Sequence, residues 1–137
     1  MLHFRKIVFT VALLPVLLCF LSGGSEMPQA EQKAVYRKIS AKQAKEMMEA
    51  GNPYILLDVR TKAEFTEIRI EGAILIPDNE IRNRAGTELP DKNALVFVYC
   101  RSGRRSAGAA RELASMGYTN VYDMGGIVDW PFDTVRG

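Results

Sequence analysis

The segment from Ala94 to Leu113 constrains the fold more than any other part of the chain. Ala94-Leu95-Val96-Phe97-Val98-Tyr99 is an unbroken apolar run ending at Cys100. It is too short for a helix and rich in β-branched and aromatic residues, so it reads as a buried parallel strand. A polar loop follows, Arg101-Ser102-Gly103-Arg104-Arg105, and then a helical stretch, Ser106-Ala107-Gly108-Ala109-Ala110-Arg111-Glu112-Leu113. One thiol therefore stands between a strand C-terminus and a helix N-terminus, ringed by three arginines. Open α/β sheets place ligands at that edge. A helix start offers unpaired N–H groups and partial positive charge, suited to a thiolate, a persulfide or a sulfur oxyanion.

The energetics favour a reactive thiol. A free cysteine titrates at about 8.5, so only about 3% is thiolate at neutral pH. Lowering that value by about two units requires about 2.7 kcal/mol of differential stabilisation. Loop N–H groups and nearby guanidinium charges are of the right size to supply it. The bland alternative is a buried cysteine acting as a small hydrophobe. A cysteine followed by Arg-Ser-Gly-Arg-Arg is hard to bury that way.

The 137 residues suffice for one domain with a real core. The first 25 differ from the rest. Arg5 and Lys6 precede a run without charge from Ile7 to Leu21, and Ser22-Gly23-Gly24-Ser25 supplies small residues. This is the pattern of a secretory signal peptide, or of an N-terminal anchor if uncleaved. The expected organisation is 1–25 signal segment, 26–35 flexible tether and 36–137 folded domain. Export places the protein in the periplasm, with an outward-facing membrane-anchored form as the alternative. Membrane association is expected only if the leader is retained, and a monomer is favoured.

Both leader charges are basic, so of 18 Lys and Arg against 16 Asp and Glu the part after the leader is near neutral. No basic face for nucleic acid is implied. Export also removes Cys19 and His3, the only other cysteine and the only histidine. Cys100 is then solitary, which excludes an internal disulfide and a Cys–His dyad and argues against a typical zinc site. No metal or cofactor is expected. Whatever activates Cys100 must be N–H groups, helix dipole and arginines.

Along the domain, Ser40-Ala41-Lys42-Gln43 has capping-box spacing and opens a helix through Ala50, closed by Gly51. Tyr54 to Leu57 reads as a strand running to Asp58-Val59-Arg60. Lys62 to Glu67 is a turn or two of helix, and Ala73 to Ile76 a short strand stopped by Pro77. Asn79 to Arg84 is a short helix ended near Gly86. Pro90-Asp91-Lys92-Asn93 is a turn. The helix after Cys100 stops at Gly117, Asn120-Val121-Tyr122 is the last strand, and Gly125-Gly126 leads into a short helix over Ile127 to Trp130. Strands alternating with helices mean an α/β fold with a mainly parallel sheet.

Asp58-Val59-Arg60, Glu64-Phe65, Gly72-Ala73, the run Cys100 to Ser106, and Gly125-Gly126 with Trp130 occur in the order found in rhodanese-like domains. Over residues 36–137 the chain resembles that family, and its leader and small size resemble the exported single-domain rhodaneses. The resemblance implies a three-layer fold with helices on both faces of the sheet. It implies a thiosulfate sulfurtransferase: Cys100 attacks the outer sulfur, sulfite leaves, and the Cys100 persulfide passes its sulfur to cyanide or a cellular thiol, with ping-pong kinetics.

On that resemblance, backbone N–H groups from Arg101 to Ser106 cradle the persulfide, and Gly103 lets the loop curl around the sulfur. Arg101, Arg104 and Arg105 are the candidates to bind the sulfonate, Arg105 foremost. Ser102 belongs to the same loop, and Ser106 is expected to cap the following helix. Asp58 and Arg60 support the site, read as structural rather than catalytic. Glu64 and Phe65 are read as local pairing and packing, and Trp130 as closing the core. The chain departs from the family at Ile68-Arg69-Ile70, where Gly-His-Ile is common, and Arg69 is expected to alter local hydrogen bonding or potential.

Three rival chemistries are weighed against this. A phosphatase or arsenate reductase loop places Cys and Arg with five residues between them, and here that place is Ser106. A carrier would deliver persulfide sulfur to a partner with little turnover. A thiol–disulfide exchanger would need a second, resolving cysteine.

Overall fold

The computed structural model describes residues 35–137. The segments expected from the sequence to be a signal peptide (1–25) and a tether (26–35) lie, up to Ala34, outside the described residues. Nine regular elements follow. They are β1 (Arg37–Lys38), α1 (Ala41–Glu49), β2 (Ile55–Asp58), α2 (Lys62–Glu67), β3 (Ile74–Leu75), α3 (Ile81–Glu88), β4 (Val96–Cys100), α4 (Arg104–Ser115) and β5 (Val121–Gly126). Single 3₁₀ turns cover Asp78–Glu80 and Ile127–Asp129. Among the described residues no helix is long and apolar enough to cross a membrane.

The five strands form one parallel sheet in the order β1-β5-β4-β2-β3. β4 is the centre and is buried along its whole length, which is why it reads as a continuous apolar run rather than an alternating one. Its side chains still alternate between two packed faces. Val96, Val98 and Cys100 pack with Ile81, Ala85, Leu113 and other residues of α3 and α4. Phe97 and Tyr99 pack with Ala44 of α1 and with Met124 and Trp130 on the other face. The result is the three-layer α/β arrangement expected from the sequence. Trp130 is 9% exposed and sits edge-on to Phe132, closing this second face.

Beyond β2 the chain moves outward to β3, whereas beyond β4 it moves the other way to β5. The shared edge above β2 and β4 is thus the point where strand order reverses, the usual ligand crevice of an open α/β sheet. Asp58 ends β2 and Cys100 ends β4, so both lie at that edge.

Local chemistry explains most boundaries. Ser40 accepts from the Gln43 N–H at 3.2 Å while Gln43 accepts from the Ser40 N–H at 2.9 Å, the reciprocal cap read from the sequence. Thr61 and Glu64 repeat the device at α2. Several boundaries differ from expectation. α3 runs through Gly86 to Glu88, because burial of Ile81 and Ala85 outweighs the low helix propensity of glycine. α4 begins at Arg104, two residues early, so Arg104 and Arg105 are helical rather than loop residues. β5 extends through Gly125-Gly126, paired along β4. The two-residue β1 is too short to leave a periodic signal.

Candidate active site

Cys100 is buried, at 1% exposure, despite the polar run that follows it. The loop folds over the sulfur instead of leaving it at the surface. The Gly103 N–H donates to Cys100 Sγ at 3.0 Å. Burial pushes the thiol up. The N–H groups of Ser106, Gly103 and Ser102 outweigh it, and the net shift is below the ordinary thiol value. Peptide dipoles, rather than guanidinium charge, therefore do most to favour the thiolate.

Two glycines make this curl possible. Gly103 precedes α4 with φ +99°, in the left-handed region where a Cβ is strained. Gly126, aligned with Cys100 in the sheet, lies directly under the loop. A Cβ there would come within 2.6 Å of Ser102 Cα and overlap the Arg101 carbonyl.

Ser106 is not the helix cap that its position suggested. Gly103 occupies the cap position, which leaves Ser106 in the first turn of α4, fully buried. Its hydroxyl donates to Asp123 at 2.7 Å, and Asp123 also accepts from the Gly125 N–H at 3.0 Å. Asp123, 1% exposed, thus ties α4 to the Gly125-Gly126 corner around the Cys100 loop. Sequence reasoning missed it. The available signal was an acid inside an apolar strand, two residues before the double glycine.

The three arginines have different surroundings. Arg101 and Arg104 are exposed and have no carboxylate partner among the described residues. Arg105 is half-buried and donates to both Glu64 oxygens, at 2.9 and 2.8 Å. That pair bridges α2 and α4 across the sheet edge. Arg105 holds Glu64 down to about 2, against 4.5 for the free group. Glu64 in turn raises Arg105, with a smaller contribution from the nearby Cys100 charge. Ser102 is exposed at the loop crest.

Asp58 and Arg60 form a second, buried ion pair. Arg60 Nε lies 3.0 Å from each Asp58 oxygen and Arg60 Nη2 lies 2.6 Å from Oδ2. Nη2 also donates to the Ile68 carbonyl at 2.6 Å, and the guanidinium sits 5.6 Å from the Tyr99 ring centre. Burial pulls the guanidinium down, but Asp58 outweighs it and raises Arg60 overall. The pair fixes the segment leading into α2, from which Glu64 reaches Arg105. Arg69 stacks 5.0 Å from the Phe65 ring centre, and its backbone pairs with Val135. Among the described residues no three His, Cys, Asp or Glu side chains gather to hold a metal ion.

A central parallel sheet carrying a thiol at its reversal edge, cradled by a curled loop of N–H donors, defines a class of α/β domains built around one loop cysteine. The chain belongs to the Rhodanese-like domain family, whose pattern matches residues 40–131. It is 42% identical over 81 residues to the thiosulfate sulfurtransferase PspE of Escherichia coli, covering 59% of this chain and 78% of that one. It is 33% identical over 116 residues to YrkF of Bacillus subtilis, whose name marks it as a candidate sulfur carrier, covering 84% of this chain and 61% of that protein. Among solved structures it is similar to a rhodanese with anions from E. coli, at 40% identity and a TM-score of 0.59, covering 62% of this chain and 100% of that one.

Proposed function

We propose that the protein is a thiosulfate sulfurtransferase that works through a persulfide on Cys100. The observation that carries this reading is the thiol held beneath the N–H groups of Ser102, Gly103 and Ser106 and lowered despite burial. The thiolate attacks the outer sulfur of thiosulfate. A Cys100 S–S bond forms, the donor's S–S bond breaks, and sulfite leaves with the bonding pair. The same N–H groups then face the anionic persulfide. Arg101 and Arg104 draw the dianion to the rim, and Arg105 stands beside the sulfur. Asp58 and Arg60 support the loop and do not react. Residues 36–137 form the catalytic unit, and 1–25 direct its export to the periplasm.

The phosphatase alternative lacks support in the loop. The place of its arginine is held by Ser106, buried and bonded to Asp123. A carrier with low turnover is the second reading, favoured by the resemblance to YrkF and by the 1% exposure of Cys100.

The test is thiocyanate formation from thiosulfate and cyanide by the full chain beside its Cys100→Ser variant. Activity lost in the variant supports the enzyme reading. A stable persulfide with negligible thiocyanate selects the carrier. A folded, reduced protein that takes no sulfur from thiosulfate refutes this donor.

A further inference from the structure

Asp123 is the only acid in β5, and it lies where an acid is costly. It stands beside Val98 in the central sheet and is 1% exposed. Val98 and Val121 belong to the apolar face beneath α3 and α4. No lysine or arginine among the described residues pairs with Asp123. A buried carboxylate without a counter-ion is tolerated only where hydrogen bonds compensate it. Here one oxygen, Oδ1, accepts both from the Ser106 hydroxyl at 2.7 Å and from the Gly125 N–H at 3.0 Å.

Those two donors flank the cradle of the sulfur. Gly103 caps α4 and has no side chain to cap with. The first N–H to find a helical partner is that of Ala107, which reaches the Gly103 carbonyl at 3.2 Å. The N–H of Ser106 is the last one left free by the helix, and it is among those that favour the thiolate. Its direction follows from where residue 106 is held. Besides Asp123, the Ser106 hydroxyl meets the Gly103 carbonyl at 3.1 Å and the Gly125 carbonyl at 3.3 Å. Three acceptors surround one proton, and the carboxylate, nearest and charged, takes it. Gly103 places its own N–H 3.0 Å from Cys100 Sγ and packs against Gly125. Contacts therefore run unbroken from Asp123 through Ser106 and Gly103 to the sulfur, and Gly125 closes the ring.

We propose that Asp123 is a positioning residue for the chemistry at Cys100: one carboxylate oxygen holds Ser106 and Gly125 so that the loop N–H groups stay aimed at the sulfur. This rests on Cys100 as the reacting atom. Asp123 itself touches no substrate. The other charges near the sulfur are accounted for. Arg105 of α4 is held by Glu64 of α2 and faced by Asp78. Arg105 is raised and Glu64 sits at about 2, so both keep their charge while a thiol titrates. Asp58 and Arg60 pair on the opposite face, against Tyr99. Arg101 and Arg104 are exposed. Val59, Ile81 and Ala85, from β2's end and α3, are apolar.

The experiment follows alkylation of Cys100 by iodoacetamide against pH in the full chain. Asp123→Leu keeps the bulk and removes both bonds. Its midpoint is expected about one pH unit above wild type, the loss of one hydrogen bond to a charged acceptor. Asp123→Asn keeps an oxygen for both donors and is expected within about 0.3 unit of wild type. Ser106→Ala cuts the link from its other end while keeping the N–H, and should rise as Asp123→Leu does. It carries the test if Asp123→Leu does not fold. Sulfur uptake from thiosulfate should slow in step below the midpoint and recover above it. A purely structural tie lowers Tm and leaves the midpoint in place, which overturns the proposal. A downward shift overturns it as well, because the Asp123 charge would then oppose the thiolate directly. So does Asp123→Asn displaced as far as Asp123→Leu. A chain that shows the expected shifts but gains no sulfur from thiosulfate refutes that donor and leaves the positioning role standing.

Discussion

Replacing Asp58 with Asn isolates the buried ion pair. The substitution keeps shape and one acceptor oxygen but removes the charge facing Arg60, which is 3% exposed and otherwise meets the Ile68 carbonyl and the Tyr99 ring, neither of them a full charge. Breaking a buried pair by removing one partner costs about 3–5 kcal/mol, because the remaining charge is desolvated without compensation. For a domain of this size each kcal/mol moves Tm by about 4–8 °C, so Asp58→Asn is expected to melt about 12–40 °C lower. Arg60→Met leaves a buried carboxylate and is expected to do similar harm. The double variant Asp58→Asn/Arg60→Met leaves no orphan charge and should be more stable than the two single effects predict, by about 2–3 kcal/mol. Urea titrations of the four proteins give this coupling directly. Persulfide formation per folded molecule should stay within about twofold in all of them, as neither side chain touches a reacting atom. Additive single effects, within about 0.5 kcal/mol, would refute the pairing argument. A hundredfold loss of persulfide formation in a protein that still folds would show that the pair acts on the chemistry.

Three further outcomes follow from the site geometry. Alkylation of Cys100 by iodoacetamide should reach half its limiting rate at a lower pH than the same cysteine in the urea-unfolded chain. A thiolate stabilised by folding also adds stability above the unfolded thiol's pKa, and this is lost as pH falls through the folded value; the gap to Cys100→Ser should narrow accordingly. The Glu64–Arg105 pair should be visible as a stability difference between wild type and Glu64→Gln of about 1 kcal/mol at neutral pH, discounted because both side chains are partly exposed. Glu64 is depressed from 4.5 to about 2, so its contribution is present above 4.5 and the difference should close as pH falls toward 2 in acid urea melts. Gly126→Ala should cost about 1–3 kcal/mol and slow persulfide formation, since its methyl group displaces the Arg101–Ser102 backbone; unchanged kinetics would mean that the loop yields without moving the N–H donors.

What the sequence revealed and what it hid divide along one physical line. The central strand was legible because burial on both faces leaves an unbroken apolar run, and the α1 cap because its spacing is local. Cys100 was legible because a thiol between a strand and a helix is a topological fact of the chain order. Asp123 was hidden because its partners, Ser106 and Gly125, come together only when β5 lies beside β4. The start of α4 was misplaced because Gly103, read as the residue that lets the loop curl around the sulfur, is also the left-handed turn from which the helix begins.

The same division applies to charge. The sequence left the activation of the thiol to N–H groups, helix dipole and three arginines together. Folding commits Arg105 to Glu64 and leaves Arg101 and Arg104 at the surface, while the N–H groups of Ser102, Gly103 and Ser106 turn toward the sulfur. Fixed peptide dipoles are screened by salt less than mobile side-chain charges are. The lowered thiol should therefore persist at high ionic strength, whereas attraction of a dianionic donor by the rim arginines should weaken. Raising salt is then expected to increase the KM for thiosulfate while leaving the pH midpoint of Cys100 alkylation in place. A midpoint that moves upward with salt would return the activation of Cys100 to the arginines.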